Sequence, residues 1–80
     1  MSASPSAYKI VTRIAEVAEG LWSVSATASL VVQPRYGVIT RLHECATREQ
    51  AEDFLEILVD QVRSAVEAVG GVVAGVEKAQ

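Results

Sequence analysis

The side chains best suited to chemistry in this 80-residue chain stand together at His43-Glu44-Cys45. On an extended strand His43 and Cys45 point the same way, ~7 Å apart. Two chemistries would use such a pair. A zinc site takes imidazole and thiolate ligands but needs one or two more at fixed distance. The chain holds no second histidine or cysteine, so completion would fall to carboxylates or a second subunit. A thiol nucleophile would need the imidazole within hydrogen-bonding reach and an oxyanion site beside it. No residue pattern supplies the latter. The simpler assignment is structural: Cys45 is a small buried hydrophobe at a strand end, and His43 is an exposed strand residue. Gly70-Gly71 lacks the strand–glycine–helix setting of a phosphate loop. No catalytic residue, metal ligand or cofactor is assigned, and the chain is read as not an enzyme.

Charge narrows the partners. The net charge is −3, and it is unevenly spread. Residues 1–45 carry Lys9, Arg13, Arg35 and Arg41 against Glu16, Glu19 and Glu44. Residues 46–80 carry Arg48, Arg63 and Lys78 against Glu49, Glu52, Asp53, Glu56, Asp60, Glu67 and Glu77. An acidic chain repels a phosphate backbone, so nucleic acid is not the expected partner. A single cysteine excludes an intramolecular disulfide and with it the framework of small secreted domains. The first residues have no basic segment followed by an apolar run, so no signal peptide is read there. No stretch approaches the ~20 apolar residues that span a bilayer. A cytoplasmic protein without a membrane partner is expected.

The elements that would position these residues follow from periodicity. Thr47 is a good N-cap with Gln50 three residues on, the pattern of a capping box. From there Ala51, Phe54, Leu55, Leu58, Val62, Ala65, Val66 and Val69 form one apolar stripe at helical spacing, flanked by Ile57 and Val59. Acidic residues fill the first turns, where the helix dipole favours them. Gly70-Gly71 stops the helix, which spans about residues 48–69.

Residues 22–32 alternate Trp22, Val24, Ala26, Ala28, Leu30 and Val32 with short polar side chains. That is the pattern of a strand with one buried face, ended by Pro34. Residues 8–18 fit two patterns. As a strand, Tyr8, Ile10, Thr12 and Ile14 share a face, and a turn at Glu19-Gly20-Leu21 sets Ile10 opposite Leu30. As a helix, Ile10, Ile14, Val17 and Leu21 form a stripe between Pro5 and Gly20. Glu16 and Glu19 would sit at the wrong end of that helix, and the many β-branched residues prefer strands. The strand is therefore the working assignment.

Residues 36–43 read as a third strand with Tyr36, Val38, Thr40 and Leu42 toward the helix and Ile39, Arg41 and His43 away. The tail from Val72 to Val76 reads either as a fourth strand at a sheet edge or as a frayed end; the strand is the working assignment, because three loose valines forgo ~1.5–3 kcal/mol of burial each.

The expected fold is α+β: an antiparallel three-stranded β-meander, with a fourth C-terminal strand as an addition, packed on one long amphipathic helix. Residues 1–7 are a disordered N-terminus, and residues 8–80 are a single domain. A domain this small buries only roughly 60–65% of its unfolded surface, so a second copy would help it. The candidate interaction face is the outer side of the sheet, with Lys9, Val11, Arg13, Val17, Ser25, Thr27, Ile39, Arg41 and His43. The function expected is that of a small non-enzymatic protein-interaction module, associating as a homodimer or with another protein. The alternative is a nucleic-acid-associated, antitoxin-like regulator using Lys9, Arg13 and Arg41. Sheets that bind single strands add stacking aromatics. Here Tyr8, Trp22, Tyr36 and Phe54 are assigned to the core or to turns.

Glu19-Gly20-Leu21-Trp22-Ser23-Val24, followed by Thr47-Arg48-Glu49-Gln50-Ala51-Glu52-Asp53-Phe54, resembles the grammar of the HicB-like antitoxin family. That grammar is a hairpin with a Gly-aromatic turn, a third strand and a Thr-x-x-Glu-Ala helix start. The likeness covers about residues 8–60 and implies a hairpin-plus-helix fold. The family's Pro-Asp-Leu-Pro-Gly segment has no counterpart, since Leu30 to Arg35 reads Leu-Val-Val-Gln-Pro-Arg. No functional residue is carried over. Otherwise the chain resembles small proteobacterial proteins.

Overall fold

A computed structural model describes residues 5–79 of the chain. Its elements are β1 (Ala7–Ala18), β2 (Leu21–Leu30), β3 (Ile39–Cys45), α1 (Arg48–Ala68) and β4 (Val72–Lys78). The strands form one sheet in the order β3-β2-β1-β4. β1–β2 and β2–β3 are antiparallel, and β4 lies parallel to β1. The fold is α+β, but the sheet is mixed and four-stranded; the antiparallel meander is only part of it. Residues 1–4 of the expected disordered segment lie outside the described residues. Its other end is ordered: Ala7 opens β1, and the Ser6 carbonyl accepts a hydrogen bond from the Val72 amide at 2.9 Å.

Residues 8–18 are extended, as their β-branched content favours. Their pairing lies two residues from the expected one: Tyr8 faces Leu30, Ile10 faces Ala28 and Ile14 faces Val24. The loop holds only Glu19 and Gly20, with Gly20 at φ 72°, and a bulge lies between Glu16 and Ala18. A shift of two keeps every side chain on its own face, whereas a shift of one would invert them all. Tyr8, Ile10 and Thr12 therefore still share the buried side with Val24, Ala26 and Ala28.

Helix α1 lies across that side. Ala51, Leu58, Val62 and Val66 are buried against the sheet, with Phe54, Leu55 and Val59 packed around them. Val69, placed in the same stripe by its spacing, is 64% exposed as the C-cap, where the helix ends. The Thr47 hydroxyl accepts from the Gln50 amide at 3.1 Å, and the Gln50 side-chain oxygen accepts from Ala46 N–H at 3.1 Å. The reciprocal cap thus closes one residue earlier than in a standard capping box. At the other end Gly71 N–H donates to Val66 and Gly70 N–H to Glu67, a Schellman turn with Gly70 at φ 80°. A Cβ at Gly71 would stand 2.5 Å from Tyr8 Cε1, so glycine there lets the chain pass over the Tyr8 ring and into β4.

The third strand corrects the sequence reading. It begins at Ile39, not at residue 36, and runs to Cys45. Tyr36 and Val38 lie in the preceding loop and are exposed. β3 pairs with β2 as Trp22–Cys45, Val24–His43, Ala26–Arg41 and Ala28–Ile39. Residues directly opposite share a face, so Ile39, Arg41, His43 and Cys45 face the helix. Thr40 and Leu42, expected toward the helix, point to the outer side, and Leu42 is 64% exposed.

Candidate functional site

The nine candidate interaction residues divide between the two faces of the sheet. Lys9, Val11, Arg13, Ser25 and Thr27 are on the outer face, where Lys9 pairs with Ser29, Val11 with Thr27 and Arg13 with Ser25. Val17 lies at the bulge near the hairpin tip and is exposed. Ile39, Arg41 and His43 lie on the opposite face, as the register of β3 requires. Ile39 packs against the core, and the His43 ring stacks on Phe54 with centroids 3.9 Å apart and planes 9° from parallel. Arg41 lines a shallow hollow beside α1 with Ile57, Asp60, Gln61 and Ser64.

The basic trio of Lys9, Arg13 and Arg41 is thereby broken up. Lys9 Nζ is 2.8 Å from Glu77 Oε2 on β4, and Arg41 projects from the other side of the sheet. Around Lys9, Arg13 and Leu42, the outer face carries short side chains: Ser23, Ser25, Thr27 and Ser29 on β2, and Val11 and Ala15 on β1, all partly exposed. Thr27 and Thr40 bring their hydroxyls within 3.2 Å across β2 and β3. No second layer covers this face among the described residues.

His43 and Cys45 do share a side, as two residues apart on a strand must. The thiol is buried opposite Trp22, and the imidazole is occupied as a flat surface against Phe54. Among the described residues no three His, Cys, Asp or Glu side chains gather into a group that could hold a metal. No helix among them is long and apolar enough to cross a membrane.

The two edges of the sheet differ, a point that periodicity does not reveal. β4 carries a register irregularity between its pairings with Tyr8 and Lys9 and ends in Glu77-Lys78. β3 pairs with β2 without interruption over all seven of its residues. The Thr40, Leu42 and Glu44 side chains, which sequence reasoning did not single out, lie along this regular edge. A signal was available: Cys45, read as buried, lies two residues from His43, so extending the strand to Cys45 puts both on the helix side. No family model, curated protein or solved structure matches the chain.

Proposed function

We propose that the domain is a non-enzymatic protein-interaction module that associates with a second copy of itself through its sheet. The observation that supports this is the one-sided construction of the sheet. α1 covers one face, while the other is left open, with β2 presenting short side chains that a neighbour can approach closely, and a regular strand edge remains open. The non-enzymatic part rests on the His43–Phe54 stack and the burial of Cys45, which commit both reactive side chains to packing. Sedimentation velocity from low to high micromolar concentration tests the proposal. A shift toward the two-chain mass is expected, and a one-chain mass throughout refutes it. The nucleic-acid reading gains nothing from the separation of Lys9, Arg13 and Arg41. Titration with labelled DNA and RNA at low salt, where phosphate contacts are strongest, should give no binding.

A further inference from the structure

Backbone hydrogen bonding shows which groups of β3 are free. The Val31 amide donates to the Ala7 carbonyl at 3.0 Å, so odd-numbered residues of β2 direct their backbone groups toward β1. In an antiparallel ladder this direction alternates along the strand. Even-numbered residues of β2 therefore face β3, as the Leu30 amide does in donating to the Tyr36 carbonyl. The partners of those residues are Ile39, Arg41, His43 and Cys45, whose amides and carbonyls are spent on β2. Thr40, Leu42 and Glu44 point theirs out of the sheet. Two side-chain contacts agree: the Arg41 guanidinium reaches the Thr40 carbonyl at 3.1 Å, and Gln50 caps the next outward amide, Ala46, at 3.1 Å.

We infer that β3 pairs antiparallel with β3 of a second copy about a two-fold axis at Leu42, joining the two sheets into one of eight strands. This rests on the proposal that the domain self-associates, and it names the surface. The following features favour this register among axes placed at an outward residue. An axis at Leu42 sets Thr40 opposite the partner's Glu44, a hydroxyl donor against a carboxylate acceptor. It also pairs all three outward residues, giving about six interchain backbone hydrogen bonds. An axis at Glu44 would oppose two carboxylates, which is destabilising, and an axis at Thr40 would run the strand into the loop before Ile39. Leu42, 64% exposed in one protomer, meets its own copy on the outer face. The two-fold axis stands perpendicular to the sheet, so both helices lie on the same side of it. The hollows holding Arg41, Ile57 and Asp60 then face each other, and Arg41 of one chain stands near the acidic side of the other. The opposite edge does not offer this: β4 is irregular, and its Glu77 is tied to Lys9.

The test uses the full chain in sedimentation velocity, with far-UV circular dichroism to confirm folding. Proline at residue 42 removes an amide that β2 does not use, so Leu42→Pro should keep the fold and weaken dimerisation more than about tenfold. Leu42→Lys, at an exposed side chain, should weaken it similarly and covers the case in which the proline variant misfolds. In a Cys45→Ala background, Leu42→Cys should give a cross-linked dimer under mild oxidation, since directly opposed hydrogen-bonded residues lie ~5.5 Å apart. Val76→Cys on β4 should not. Undiminished dimerisation of the folded Leu42 variants, with loss in Val11→Lys on the outer face, would overturn the edge assignment and leave self-association standing. A wild-type chain that stays monomeric would overturn both.

Discussion

The two faces of the sheet are built from the same strands with opposite materials. On the helix side Ile10, Val24, Ala26 and Ala28 are completely buried, and Thr12, the one buried polar side chain among the described residues, donates its hydroxyl to the Glu77 carbonyl at 3.2 Å. On the other side the neighbours of these residues are Val11, Ser23, Ser25, Thr27 and Ser29, all partly exposed. Alanines at residues 26, 28 and 51 let helix and sheet approach where they cross, and the larger Ile10, Leu58, Val62 and Val66 fill the space around them. One face therefore carries the folding energy, and the other can be altered at little cost to stability.

Substitutions can break or sharpen that contrast, and urea unfolding reads each of them. Ile10→Ala on the covered face should cost about 4 kcal/mol, because it empties a fully enclosed site. A loss below about 1 kcal/mol would mean the face is not packed as described. Gly71→Ala should cost about 2 kcal/mol, since its Cβ would fall 2.5 Å from a buried Tyr8 ring that has little room to yield. Thr47→Ala removes the cap of the covering helix and should cost about 1 kcal/mol. Ser25→Ala, on the open face, should change stability by less than about 0.5 kcal/mol. A larger loss there would show that the open face also supports the fold of the single chain.

Local rules made much of this architecture legible before the structure. The helix from Arg48 announces itself through Thr47, Gln50 and the stripe at Ala51, Leu58, Val62 and Val66. β1, β2 and β4 follow from alternation and β-branching, and the two-residue error in the β1–β2 register left their faces correct. β3 was assigned the wrong face for an equally physical reason. Its outward Leu42 and inward Arg41 and His43 reverse the usual apolar-in pattern, and the loop from Val31 to Val38 hides the register from local reasoning. Arg41 and His43 are tolerated on the helix side because β3 is an edge strand. Arg41 reaches past the helix flank toward solvent, and His43 presents only its ring to Phe54. The misread residue, Leu42, is the one on which the proposed association surface centres. A long-range register, not a propensity, decides where it points.

Amide hydrogen exchange at two protein concentrations tests the association through β3 most directly. At low concentration the outward amides of Thr40, Leu42 and Glu44 should exchange rapidly, while those of Arg41 and His43, bonded to β2, are protected. Raising the concentration should slow all three outward amides together and leave the outward Val76 and Lys78 amides on β4 fast. Exchange at Leu42 that stays fast and independent of concentration would contradict pairing at this edge.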